Sequence, residues 1–251
     1  MREPVCDSRR VFDHMEIRVS DRDASERFYE TVLATIGIGR TYSDEHIAEW
    51  DDFGLAEATA EKPVTKRLHV GFVAPSRAHV DAFWRAGVDA GSRDDGAPGL
   101  RPQYTDDYYG GFLLDPDGLS VEAVHHGFER GGGTIDHLWI RVADVAASAR
   151  FYRTIASYAG LRVHRELDER VQFGDDSSSF SVVQGVPTEH VHIAFGTRDD
   201  ATVDAFHRAA TEAGYRDNGP PGERAIYHEG YYGAFVLDPD GNNIEVVNHN
   251  R

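Results

Sequence analysis

Apolar and polar residues alternate from His14 to Val19, with Met15, Ile17 and Val19 on one side and His14, Glu16 and Arg18 on the other. That period of two predicts a half-buried strand. The period then lengthens: Phe28, Tyr29, Val32, Leu33 and Ile36 fall on one face of a helix. Asp23, followed three residues later by Glu26, fits a capping box at its start. Irregular, polar-rich strand material runs on through Trp50 and Leu55. A new strand, LHVGFVA, opens at Leu68, and a second helix follows with Val80, Phe83, Trp84 and Val88 on its buried side and Gly91 at its end. The glycines and prolines of SRDDGAPGLRP mark a loop or an edge strand. From Tyr108 to Val124 an apolar strand reaches an Asp-Pro-Asp-Gly turn, and a second strand leaves it carrying one acid, Glu122. Proline pre-sets the bend and glycine takes the dihedrals other residues resist, so this is a hairpin.

The same pattern then repeats. YYGGFLLDPDGLSVEAV returns as YYGAFVLDPDGNNIEVV between Tyr231 and Val247, and Glu122 and Glu245 are 123 positions apart. Asp13-His14 recurs as Asp136-His137, Phe28-Tyr29 as Phe151-Tyr152, and His69 as His192, all at that offset. Two tandem copies follow, each reading as two strand–helix–strands units. We place the first domain at 10–126, a glycine-rich linker at 127–134 and the second domain at 135–250.

Composition narrows the classes. An apolar content of 40 %, spread along the chain, excludes a disordered protein. A formal net charge of −17 argues against nucleic-acid and anionic-membrane partners, which select basic surfaces. Cys6 is the only cysteine, so neither an intrachain disulfide nor a cysteine metal site is available. The N-terminus lacks a secretory apolar run and no segment is suited to span a bilayer, which leads us to expect a cytoplasmic protein.

Strand parity supplies the chemistry. If Met15, Ile17 and Val19 pack on helices, His14 points to the opposite side of its sheet, and His137 does the same with Trp139 and Arg141. His69 shares its face with Gly71, and His192 with Ala194, leaving space beside each imidazole. Glu122 and Glu245 point away from their apolar neighbours. Each copy thus offers two histidines and one carboxylate on the non-helix face. Two imidazoles and a carboxylate suit a divalent transition metal with positions left open for substrate. The alternative for any one strand histidine is an ordinary hydrogen-bonded residue.

The repeated Asp-His on an opening strand, His on a midpoint strand and Asp-Pro-Asp-Gly-x-x-x-Glu near the end resembles the vicinal oxygen chelate superfamily of glyoxalases, bleomycin- and fosfomycin-resistance proteins and extradiol dioxygenases. The resemblance covers residues 13–126 and 136–249. It implies an α+β fold of four βαβββ modules in two tandem glyoxalase-like domains, forming cupped mixed sheets. It also implies a divalent metal (Fe, Mn, Zn, Ni or Co) held by His14, His69, Glu122, His137, His192 and Glu245. The expected function is a metal-dependent enzyme, of lyase, isomerase or dioxygenase type, acting on a small molecule that chelates the metal through adjacent oxygens. The alternative is a non-catalytic, drug-binding protein of the bleomycin-resistance kind.

Departures from the family pattern matter. A fourth glutamate ligand, found in glyoxalase I, is replaced at the corresponding places by Ala58 and Ser181. The tyrosine of the ring-cleaving signature is Phe112 or Phe235 here, which disfavours aromatic-ring cleavage. Arg18 and Arg141 are candidates to hold an anionic substrate group, with a structural ion pair as the alternative. Trp139, Tyr108 and Tyr231 would line the cup, and half of the paired tyrosines at 108–109 and 231–232 must face the helices. His228 is the candidate acid–base group. The ligands can pair within each copy, as His14–His69–Glu122 and His137–His192–Glu245. They can also pair by exchange, as His14–His192–Glu245 and His137–His69–Glu122. We favour exchange, because each site would then need both halves of a fused chain. Either a monomer or a homodimer is compatible with both.

Overall fold

A computed structural model describes residues 11–128, 132–174 and 178–250. The central part of the predicted linker, 129–131, lies outside the described residues. Four units of one plan follow each other. The first is β1 (His14–Val19), α1 (Arg22–Leu33), β2 (Tyr42–Ser43), β3 (Ile47–Trp50) and β4 (Phe53–Glu57). The second is β5 (Leu68–Val73), α2 (Arg77–Asp89), β6 (Arg93–Leu100), β7 (Tyr109–Leu114) and β8 (Ser120–His125). The third is β9 (Ile135–Val142), α3 (Val145–Ile155), β10 (Val163–Leu167), β11 (Arg170–Gly174) and β12 (Ser179–Gln184). The fourth is β13 (His192–Gly196), α4 (Asp200–Glu212), β14 (Asp217–Glu223), β15 (Tyr232–Leu237) and β16 (Asn243–Asn248).

These form two eight-stranded mixed sheets, β14-β15-β16-β13-β1-β4-β3-β2 and β10-β11-β12-β9-β5-β8-β7-β6. Each sheet therefore joins a unit of one copy to a unit of the other. The junctions are antiparallel and share one register: Glu16 lies opposite His192 where β1 meets β13, and Trp139 lies opposite His69 where β5 meets β9. No described helix is long and apolar enough to cross a membrane.

The helices cover one face of each sheet, which is why Met15, Ile17, Val19, Leu138, Ile140 and Val142 are fully buried. Phe53 of one sheet meets Phe72 of the other edge-on at 5.2 Å, and Phe180 meets Phe195 at 6.5 Å, so the two sheets share a single core. The cap of α1 differs from expectation. Asp21, not Asp23, accepts from Ala24 N, while Glu26 pairs with Arg22 at 2.5 Å and with Arg40. Asp144 and Asp199 cap α3 and α4 in the same way. A carboxylate standing in extended backbone just before the first turn satisfies an amide that Asp23, already helical, cannot reach. SRDDGAPGLRP is an edge strand, β6.

The first aspartate of each Asp-Pro-Asp-Gly turn is buried. Asp115 accepts from the amides of Asp117 and Leu119 and from the Tyr29 hydroxyl, and Asp238 repeats this with Asp240, Asn242 and Tyr152. Burial raises both carboxyls to about 6 despite those hydrogen bonds. The unfolded chain ionises them near the ordinary carboxylate value, about 4. Between about pH 4 and 6 the folded state therefore binds more protons, and stability from these groups is present below pH 4 and lost as pH rises through 6. An Asp115→Asn/Asp238→Asn variant keeps the amide-accepting oxygens without the charge. We expect the stability of the native chain relative to this variant to fall by about 1 kcal/mol or more between pH 4 and 7 in urea unfolding. A pH-independent difference would show that both aspartates ionise normally.

Candidate metal centres

Side-chain parity and the two junctions bring the six predicted ligands together as two clusters. His14, His192 and Glu245 form one, and His69, His137 and Glu122 form the other. In the first, His14, Ala194 and Glu245 stand in one row across β1, β13 and β16, and His192 is diagonal to His14. In the second, His137, Gly71 and Glu122 make the corresponding row across β9, β5 and β8. The exchanged pairing is the one observed.

The donor atoms face one another. His69 Nε2 lies 2.9 Å from His137 Nε2 and 3.2 Å from Glu122 Oε2, and His137 Nε2 lies 3.3 Å from the same oxygen. The other cluster is wider, with His14 Nε2 3.3 Å from His192 Nε2 and 3.7 Å from Glu245 Oε2. The residue in the middle of each row differs in a way that fits. A methyl at Gly71 would overlap the His137 ring, whereas Ala194 carries one and its histidine stands farther out.

Outer partners leave these atoms as the available donors. His14 Nδ1 and His137 Nδ1 each meet the preceding aspartate at 2.8 Å. His69 Nδ1 meets Ser120 Oγ at 3.0 Å, and the Asn243 amide lies 2.7 Å from His192 Nδ1. The Tyr108 and Tyr231 hydroxyls donate to Oε1 of Glu122 and Glu245 at 2.8 and 2.7 Å, so each carboxylate turns Oε2 inward. Both glutamates are buried. This is the arrangement by which proteins fix ligand tautomer and orientation around a metal, and the donor set fits a divalent transition ion.

Electrostatics agree with that fit. Burial opposes charge on His14, but its hydrogen bond to Asp13 and the fields of Glu245 and Asp13 raise its pKa to about 9. His137 is likewise raised to about 9 against burial, by Asp136 and Glu122. His69 is lowered, by burial and then by its neighbour His137. Around Glu122 the field thus favours positive charge.

Parity divides the paired tyrosines as expected. Tyr109 and Tyr232 face the helices, bonding Asp81 of α2 and Asp204 of α4 at 2.8 and 2.9 Å. Arg18 is paired with Glu16, and Arg141 is exposed. His228 Nε2 lies 2.8 Å from His249 Nδ1, and His249 Nε2 lies 2.9 Å from Asp13, so His228 reaches His14 through two intermediaries. In the other copy His126 takes the place of His249, 3.0 Å from Asp136, and Thr105 takes the place of His228. Sequence reasoning passed over His126 and His249, although both recur at the common offset of 123. The position of a fourth ligand needs a correction: Gly54, not Ala58, is paired with Glu16 as Ser181 is paired with Trp139. The copies slip by four residues there and recover before β5. Beside Gly54 stands Glu49, whose carboxyl is raised by burial, with Glu16 adding and His14 opposing. Sequence reasoning also missed Arg170, which lies 4.3 Å over the Trp139 ring.

The fold and the paired clusters define a protein of two glyoxalase-like domains. Residues 11–123 and 134–246 match the Glyoxalase/Bleomycin resistance protein/Dioxygenase superfamily, and the chain belongs to that family. Among solved structures it resembles glyoxalase I from Zea mays, at 19 % identity and a TM-score of 0.68, over 95 % of this chain and 92 % of that one. It also resembles a putative dioxygenase from Bacillus subtilis, at 14 % identity and a TM-score of 0.63, over 96 % and 85 %. At these identities the likeness is one of fold. No curated protein matches the chain.

Proposed function

We propose that the protein is a divalent-metal-dependent enzyme whose small-molecule substrate chelates the ion through adjacent oxygens. The observation that supports this is the double occurrence of one donor set, each assembled across the two halves and each braced by aspartate and tyrosine. A merely structural histidine does not need its free nitrogen aimed at a second imidazole and a carboxylate. When bound, the ion supplies Lewis acidity for negative charge developing on the chelated oxygens, a chemistry shared by isomerases, lyases and dioxygenases of this fold. Three protein ligands leave room for two substrate oxygens.

The chain's own residues do the rest. Tyr108 and Tyr231 hold the glutamates in place, and Asp13 and Asp136 hold the imidazoles. His228, at the outer end of the His249–Asp13 chain, would pass protons between the His14 cup and solvent. The non-catalytic, drug-binding alternative has no observation in its favour.

The test is water-proton relaxation with Mn²⁺ on chelator-stripped protein. Binding should enhance relaxation, and acetohydroxamate, a ligand with two adjacent oxygens, should reduce that enhancement by displacing bound water. Relaxation equal to that of free Mn²⁺ would rule the reading out.

A further inference from the structure

The two cups share their donors and differ in their walls. Where β9 carries Trp139, β1 carries Glu16, and where β11 carries Arg170, β3 carries Ile47. Arg170 lies on the cup side, because it pairs with Val183, which pairs with Arg141, while Val171 and Phe173 are buried towards the helices. Its guanidinium lies 4.3 Å over Trp139, and its Nε donates to Ser181 Oγ at 3.2 Å. Among the described residues no carboxylate pairs with it.

Trp139 in turn lies 5.6 Å from the His69 ring and 5.7 Å from Tyr104, which stands perpendicular to it. A half-buried, stacked guanidinium beside two aromatic walls, one ring away from a ligand histidine, is an unmatched positive site. The other cup has no counterpart of this stacked pair. There Arg18 is neutralised by Glu16, and Glu49 adds a second acid.

We infer that the cup of His69, Glu122 and His137 selects small molecules bearing an anionic group on a flat apolar body, with Arg170 as the anion clamp and Trp139 and Tyr104 as the walls. The cup of His14, His192 and Glu245 disfavours such molecules. The two cups of the fused chain therefore serve different ligands. Arg170 offers a planar fork of donors, suited to a carboxylate or phosphate, and its remaining N–H groups lie beyond the Nε held by Ser181. This inference extends the metal reading above to substrate class, and it rests on that reading only for the chelating part of the ligand.

The test uses the full chain without added metal, so that its outcome depends on the clamp and not on the ion. Benzoate and its neutral counterpart benzamide are titrated while the indole N–H resonances are followed by NMR. Benzoate should shift the Trp139 signal and bind about tenfold tighter than benzamide. Arg170→Gln should remove that preference and leave benzamide binding unchanged. Arg170→Lys, which keeps the charge but not the planar fork, should fall between them. Equal binding of the two probes to the native chain, or a preference that survives in Arg170→Gln with folded spectra, would overturn the assignment. Failure of Mn²⁺ to bind would instead count against the metal reading alone.

Discussion

Residues 11–128 expressed without the second copy are expected to form a homodimer, with no stable monomer. In the full chain β1 takes β13 as its neighbour and β5 takes β9, so a lone half would leave both strands unpaired on one side. It would also take Phe195 away from Phe12, a buried ring that it meets at 6.0 Å. Such a ring is worth roughly 1.5–3 kcal/mol of burial, too much for a small domain to forgo. The remedy is present in the half itself. Both junctions use the same register, Glu16 opposite His192 and Trp139 opposite His69, so β1 of one half can pair with β5 of another. His14 of one half would then meet His69 and Glu122 of the other. Sedimentation should give twice the half-chain mass, and metal should bind only to that species. A monomeric half that retains tight metal would contradict this.

Much of that architecture was legible in the sequence because it depends on short-range rules. Alternation from His14 to Val19 set the face on which each histidine stands, and burial of Met15, Ile17 and Val19 follows that parity. The Asp-Pro-Asp-Gly hairpins and the offset of 123 singled out Glu122 and Glu245, which the structure sets opposite Gly71 and Ala194. The pairing of units was only favoured, since linker length is compatible with either arrangement; the decision comes from which strand edges meet, a long-range packing outcome. The cap of α1 went astray because Asp21 and Asp23 are both plausible caps and only the chain's entry angle separates them. Gly54 was missed because an insertion compensated within one copy is invisible to a constant offset. Arg170 was missed for a different reason. It lies on β11, in the polar-rich stretch where alternation is weak, and only the register of β11 on β12 aims it at Trp139.

The central claim is that each metal centre draws on both halves of the chain, and paired histidine substitutions test it most directly. His14→Ala with His192→Ala removes two ligands from one cluster and leaves His69, His137 and Glu122 whole. His14→Ala with His69→Ala removes one ligand from each cluster. Changing an outer partner of a metal ligand already costs tenfold to a hundredfold in affinity. Losing a ligand costs more, so no damaged cluster should retain its ion through dialysis. Native chain, loaded with a divalent ion and dialysed, should hold about two ions by elemental analysis, the first variant about one and the second about none. Circular dichroism would confirm that all three are folded. The opposite order, with none in His14→Ala/His192→Ala and one in His14→Ala/His69→Ala, would mean that each copy builds its own site, and would contradict the account.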